Sequence, residues 1–463
     1  MEALKYIFLL LAFLVVSTPL LAADTTTTNL GLTKPALSSP AWAPKINTDL
    51  DIIDAAIGTV IGAQTYGVVG DGVTDDTAAL QAAIDAAPDG STVLLPSGQI
   101  IRTTNPINIL GRKSLRITST GAAGEGAATI KYDGVNDQSV IYVDDSAYIE
   151  FSNLTINGNA KANRGIQFVR TSTYGTNDTS NHIRRILISA GSGTGRPGWI
   201  GIDVCGSGPQ NNCEGFIIKD SFIYGQDATS SIGILFGHTN SLIHVVQSTT
   251  IVNNTVGVKI IGGSAHISDN TIGFNGTDFQ QSSGEATIIE FNRTEGSAQF
   301  FSGFGGGSPI AFPGGPITIS HNSFGCASGS DTTTDPWIDL QDSLPYMRLI
   351  FMSNTFFSDC PLRVPFRGGL GGGGGGGDLI SIGNDYDIRL ISDLPTYFAT
   401  FRSYVSFGDS FHSLATVIPA QISQTLKLKS LTTTGAASGK KVVCVDTTTG
   451  QLYASSTGTD CSN

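Results

Sequence analysis

The sequence predicts an all-β solenoid preceded by a short helix, and three observations carry that expectation. Glycine is abundant (57 of 463 residues), charged residues are few (14 %), and Ser, Thr and Asn dominate the polar set. This composition suits many short strands and tight turns, not a helix bundle. A six-residue pattern of apolar, any, polar, Asn/Asp, Ser/Thr, apolar recurs between Ile217 and Phe356. The stretch 66–98 reads as a turn, a helix and a strand in direct succession. A chain of this length fits one elongated β domain. The net charge of −12 argues against nucleic acid and against an anionic membrane surface as partners. It also sets a condition on an acidic glycan, which would need a local Arg/Lys patch or a bridging cation.

Residues 1–23 read as a secretory signal peptide: Lys5 in a basic start, an apolar core over 7–16, and Ala22-Ala23 as a small-residue cleavage site. An uncleaved anchor is the alternative. No later segment is long and apolar enough to span a bilayer, so the mature protein is expected to be secreted or at the cell surface, with no membrane partner after cleavage. Six cysteines in an exported chain suggest disulfides, and they fall into local pairs: Cys205 with Cys213, Cys326 with Cys360, Cys444 with Cys461. No Cys-x-x-Cys spacing points to zinc. In the leader 24–62, Pro35, Pro40 and Pro44 forbid regular structure until Lys45, where a short helix begins. Ile46, Leu50, Ile53, Ile57 and Val60 repeat as a heptad seam, which serves either association between chains or docking on the protein's own body.

In 66–98, Gly67, Gly70 and Gly72 allow a tight, irregular turn. Asp75 or Asp76 supplies an N-cap, and the helix runs to about Ala87, where Pro88-Asp89-Gly90 stops it. Leu80, Ala83, Ile84 and Ala87 form one apolar stripe, while Ala78, Ala79, Ala82 and Ala86 permit close approach to a flat partner. Residues 91–95 then form a short strand ended by Pro96 and Gly98. This turn, alanine-rich helix and Val-Leu-Leu-Pro-x-Gly strand resembles the N-terminal signature of the pectate-lyase superfamily. That group comprises right-handed parallel β-helices, among them polysaccharide lyases, glycoside hydrolases related to polygalacturonases, and phage tailspikes. The resemblance implies a right-handed parallel β-helix over 63–390 with the helix covering its open N-terminal end, and a polysaccharide partner. Calcium is the cofactor implied for a lyase. The leader is similar to segments ahead of tailspike-like β-helices, which implies a homotrimer. Asp71, Asp75 and Asp76 are accounted for by Asx turns and the helix cap.

The repeat supports the solenoid independently. It reads IIKDSF at 217–222, IVNNTV at 251–256, ISDNTI at 267–272, ISHNSF at 319–324 and FMSNTF at 351–356. Its fixed residues are Asp220, Asn254, Asn270, Asn322 and Asn354, types that suit a bent corner and one inward stacked ladder. Their uneven spacing assigns the excess to loops. The widest gap holds 275–316, with Phe300, Phe301, Phe304 and Phe312 among glycines; 367–378 is nearly pure glycine. Both read as sugar-contacting surfaces or as low-complexity insertions. The aromatic run from Tyr397 to Phe411 is expected to cover the C-terminal end within 391–431. A linker and a hairpin stapled by Cys444 and Cys461 occupy 432–463.

Family motifs transfer poorly. Where the polygalacturonase branch has Gly-His-Gly and Arg-Ile-Lys, this chain has Gly237-His238 without the following glycine and Val258-Lys259-Ile260. No Asp-Asp pair occurs between Ile217 and Phe356. Arg363-Val364-Pro365-Phe366-Arg367 resembles the lyase Arg-x-Pro-x-x-Arg but is one residue short. The column preceding the ladder reads Lys219, Asn253, Asp269, His321, Ser353, so Asp269 and His321 are expected on nearby rungs. With Asp278 they are the candidate catalytic groups, and Glu290, Arg293, Arg363 and Arg367 are the candidate substrate contacts. Two functions remain open: an exported lyase or glycoside hydrolase acting on an acidic or complex polysaccharide, and a non-catalytic glycan-binding or spike protein.

Overall fold

The computed structural model describes residues 60–303 apart from 175–178, 192, 194, 207–212, 239–240 and 283–285. It also describes 315–325, 337–339, 348–356 and 376–387, together with short segments outside these bounds. The signal segment, most of the leader, Cys326, Cys360, Cys461 and Arg363 lie outside the described residues.

The chain winds as a parallel β-helix with three sheets, and every rung visits them in the same order. One rung is Ala265–Ser268, Thr271–Gly273, Thr277–Gln281. The first sheet runs in parallel register from Val60–Gly62 to Phe401–Phe407. The second starts at Asp71–Asp75 and ends at Ser410–His412. The third holds ten strands from Ile107–Leu110 to Phe366–Arg367. Glu150–Asn157 and His182–Ser189 each span the first two sheets around a bend at Asn153 and Arg185, both left-handed. Parallel pairing thus extends one rung beyond the expected end: Phe401–Phe407 pairs with Gly376–Ile382 as a further rung. The predicted terminal hairpin pairs Val443–Val445 with Leu452–Ala454.

Alternation at period two places Ile, Val and Phe inside. Ile188, Ile223, Ile251 and Ile272 of the second sheet stack in register and are buried. Their methyl groups sit where Cβ atoms would project from Gly165, Gly201, Gly233 and Gly257 of the third sheet. Those glycines are therefore needed for close approach of two sheets.

The corner between the first and second sheets is a single left-handed residue followed by an inward one. The left-handed file runs Asp220, Ser248, Asp269, Phe291, His321, Ser353, Gly383. The inward file contains Asn270, Asn292, Asn322, Asn354 and Asn384, all at most 2 % exposed. Each Nδ2 and each backbone N–H of one asparagine donates to the Oδ1 of the next, at 2.9–3.1 Å. Two expectations are corrected here. Asn254 belongs to a separate ladder at the next corner, with Asn275 and Ser297. Asp220 is a left-handed corner residue with Ser221 in the inward place. The gap between Asn270 and Asn322 is not an insertion: it holds a further rung, Thr287–Glu290, Arg293–Glu295 and Gln299–Gly303, with Asn292 in the ladder. Phe300 and Phe301 are accordingly core residues, not loop aromatics; Phe304 and Phe312 lie outside the described residues.

The helix is Thr77–Ala86, with Leu80, Ala83 and Ile84 buried against the first rung. Asp76 is its N-cap residue, one of the two expected, but its side chain makes no cap bond. Asp75 Oδ1 accepts the Thr77 N–H, whereas the Asp76 carboxylate turns back to accept from Val69 and Gly70. Gln81 donates to the Asn108 carbonyl and accepts its N–H, satisfying the open edge of the third sheet. Arg112 donates to the Ile84 and Ala87 carbonyls at the helix end.

Candidate functional site

The residues singled out from the sequence are scattered by the fold. Asp269 and His321 share the left-handed file but are two rungs apart, about 10 Å at the usual strand spacing. Phe291 lies between them and stacks on the His321 ring at 4.9 Å. Asp269 instead accepts from Gln247. Glu290 pairs with His266 at 2.8 Å on the first sheet, and Arg293 with Glu295 at 3.3 Å on the exposed second sheet. Neither is on a loop. From Asp220 to Gly383 this corner carries two-residue turns. Asp278 is 1 % exposed, in the register position after the last glycine of the third-sheet file. Its carboxylate accepts from Asn275 Nδ2 and Ser297 Oγ, so it is a structural group of the second ladder. Arg367 lies on the third sheet, away from Asp269 and His321.

The sheltered surface is the outer face of the third sheet around Ser139–Asp144, Arg164–Val169, Ile200–Val204, Ile232–Phe236 and Val256–Ile260. The connections here are long on both sides: 133–138, 158–163, 190–199 and 225–231 against 170–181, 205–216 and 237–243. Ion pairs stiffen one wall. Asp133 binds Arg102 and Lys161, and Asp137 binds Arg196 by two bonds of 2.9 and 2.7 Å. The opposite wall carries the expected Cys205–Cys213 disulfide. Cys444 lies in the terminal hairpin with its side chain outside the described residues.

The floor is one outward register file: Tyr142, Gln167, Asp203, Leu235, Lys259. Although it faces outward, Asp203 is fully buried, because the loop at Gly206 folds across it. A side chain at Gly206 would collide with Asp203 and Leu235. Arg164 Nε bonds Asp203 Oδ2 at 2.6 Å and remains 24 % exposed, and the Gly206 N–H caps the other oxygen at 2.8 Å. Burial pushes the Asp203 carboxyl above its ordinary range, opposed by the Arg164 charge and the Gly206 bond. Two further groups are biased toward their neutral forms by burial: Lys259 on the floor and His238 just past Ile232–Phe236 at the rim. His238 and Lys259 are the residues that stood out in the sequence only as departures from a motif. Arg164 and Asp203 carried no sequence signal, being 39 residues apart. The Asp144-Asp145 pair is structural: both carboxylates accept from the backbone of 171–174.

Among the described residues no group of three His, Cys, Asp or Glu side chains is placed to hold a metal ion. Nor does any described helix have the length and apolar character to cross a membrane.

Residues 60–280 match the sequence model of the family described as rhamnogalacturonase A/epimerase, pectate lyase-like. The mannuronan C5-epimerase AlgE5 of Azotobacter vinelandii is 40 % identical over 104 residues, 20 % of this chain and 10 % of that protein. AlgE1 of the same organism is 34 % identical over 125 residues, 22 % of this chain and 8 % of that protein. The match thus spans about a tenth of those relatives' own length. Similar solved structures include a GH136 lacto-N-biosidase from Eubacterium ramulus, at 13 % identity and TM-score 0.49, covering 81 % of this chain and 71 % of that one. An alginate lyase from Paenibacillus sp. str. FPU-7 aligns at 13 % identity and TM-score 0.43, covering 76 % and 99 %.

Proposed function

We propose that this protein modifies an acidic polysaccharide by abstracting a proton next to a sugar carboxylate, a reading supported by the match of residues 60–280 to the rhamnogalacturonase A/epimerase, pectate lyase-like model. The observation that carries the reading is the Arg164–Asp203 pair on the floor of the walled third sheet. Arg164 is the cation that meets the uronate carboxylate, and Asp203 is the positioning residue that fixes its guanidinium. Withdrawing charge from the carboxylate acidifies the proton at C5. His238, held neutral by burial, accepts that proton as general base. The electron pair moves into the carboxylate. It then either expels the C4 oxygen, leaving an unsaturated sugar, or takes a proton back on the opposite face, inverting C5. Lys259, two strands from Asp203, is the proton donor for either outcome.

Hydrolysis is the less supported chemistry. It needs two carboxyl groups roughly 5–9.5 Å apart across the bond. On the floor Asp203 has no such partner among the described residues; Asp339 follows five strands later, about 24 Å away.

The test is incubation of the full chain with a panel of polyuronates in D2O. Deuterium at C5 or an unsaturated product end supports proton abstraction. Cleavage that leaves saturated non-reducing ends and no deuterium at C5 overturns it in favour of hydrolysis. Binding with no product overturns it in favour of a glycan-binding spike.

A further inference from the structure

The first sheet carries a second feature on its outer face, away from the trough. Its outward files place Arg116, Glu150 and His182 in one column, and Ser152, Arg184 and Lys219 in the next. Arg185 follows at the corner. Arg184 and Lys219 are direct register partners on adjacent parallel strands, with no acid between them. Like charges facing each other in this way destabilise a sheet. His182 records the same field: burial, then Arg184, hold its pKa below the ordinary value, with Glu150 pulling the other way and Lys219 adding the smallest push downward. Its Nδ1 lies 3.1 Å from Arg184 Nη2. The acids nearby are few and engaged or peripheral. Glu150 pairs with Arg116 at 3.3 Å, Asp220 occupies the corner beyond Lys219, and Glu214 sits in the preceding turn. The buried Arg184 Nε has no hydrogen-bond partner. Tyr148, 59 % exposed, stands at the rim beside Glu150.

In a chain of net charge −12, Arg184 and Lys219 set opposite each other with no acid between them point to an anionic ligand. We propose that Arg116, His182, Arg184 and Lys219 form a docking strip for an anionic polysaccharide, with Tyr148 as a flat surface for a sugar ring. Arg184 and Lys219 stand one rung apart, about 4.8 Å, and Arg116 lies two rungs before Arg184, a spread that suits a charged polymer and not a single small anion. Carboxylate and sulfate groups both meet this requirement. The strip is on a different sheet from the trough and does not depend on the reaction assigned there.

The experiment measures binding of the full chain to polygalacturonate, alginate, a sulfated glycan and a neutral glucan by calorimetry at two salt concentrations. R184Q/K219Q is compared with wild type. The expected result is salt-sensitive binding of at least one anionic glycan, weakened about tenfold in the double variant, equivalent to about 1.4 kcal/mol. Thermal stability of the variant should be equal or higher, because the repulsion is removed. Comparing the carboxylated and sulfated arms identifies the anion. Unchanged affinity in R184Q/K219Q overturns the strip, as does equal binding of the neutral glucan. Binding to single-stranded DNA or to phosphatidylserine vesicles with none to anionic glycans overturns it in favour of another class of polyanion.

Discussion

Burying a carboxylate costs several kcal/mol unless a charge and hydrogen bonds replace its water. Asp203 receives both, from Arg164 and Gly206, so removing one partner leaves the other stranded. Arg164→Lys retains the charge but loses the planar fork, and is expected to lower kcat/KM on a polyuronate about a hundredfold with little loss of expression or folding. Steady-state kinetics on the most reactive substrate of the panel checks this; an unchanged value removes Arg164 from the site. His238 gives a prediction in pH. A base must be unprotonated to act, and burial lowers this imidazole from its usual 6.5. Activity should therefore rise with pH along an acid limb whose midpoint lies below 6.5, and His238→Asn should abolish that limb together with most turnover. A limb centred above 7 assigns the base elsewhere, Lys259 being the next group to test.

At the scale of the element, the asparagine ladder is where buried polar groups are fully paired. Asn292 Nδ2 donates to Asn322 Oδ1 and to the Ile267 carbonyl, and its own Oδ1 receives the Asn270 N–H and Nδ2. Asn292→Ala strands donors and acceptors on both neighbouring rungs and is expected to cost about 1–3 kcal/mol. Asn153→Ala, at a bend upstream of the ladder, should cost less; denaturant melts of the two variants give the comparison. The same ladder shows what was readable in the sequence. Asn270, Asn322 and Asn354 announce themselves because a Ser or Thr follows each within an apolar frame. Asn292 is hidden because its corner residue is Phe291 and a charged Arg293 follows it, so a complete rung passed for a loop. Asn254 was misfiled because both corners use the same left-handed residue plus inward asparagine, and period alone does not say which corner a repeat belongs to. The capping helix and its Leu80, Ala83, Ile84 stripe were legible because they rest on local periodicity. The trough was not, because Arg164, Asp203, His238 and Lys259 meet only through the winding of the rungs. The first-sheet cations share this property: Arg184 and Lys219 are brought opposite by register, not by motif.

The whole molecule is a stack in which each rung touches only its neighbours, and its stability is a sum of local interfaces. The ends are therefore the vulnerable points, and the helix Thr77–Ala86 protects one of them. Leu80 is fully buried against the first rung, while Gln81 occupies both hydrogen-bonding groups of Asn108 on the edge strand Ile107–Leu110. Leu80→Ala removes buried volume at that end and is expected to cost about 2–5 kcal/mol of local stability. Because coupling decays from rung to rung, the loss should be graded along the rod. Amide exchange should quicken first in Ile107–Leu110 and Thr92–Leu94, less in Ser139–Asp144, and remain at the wild-type rate in Ala265–Ser268 and Thr287–Glu290 around the ladder. Hydrogen-exchange mass spectrometry reads this profile directly. Equal quickening in every rung would mean that the solenoid opens as one cooperative unit, with the helix acting as its keystone and not as a local end cap. The graded profile carries a functional corollary. The trough begins at Ser139–Asp144, two rungs from the capped end, so a loosened cap should weaken polymer binding at the Tyr142 end of the floor while leaving the Arg164–Asp203 pair and the chemistry beside it intact.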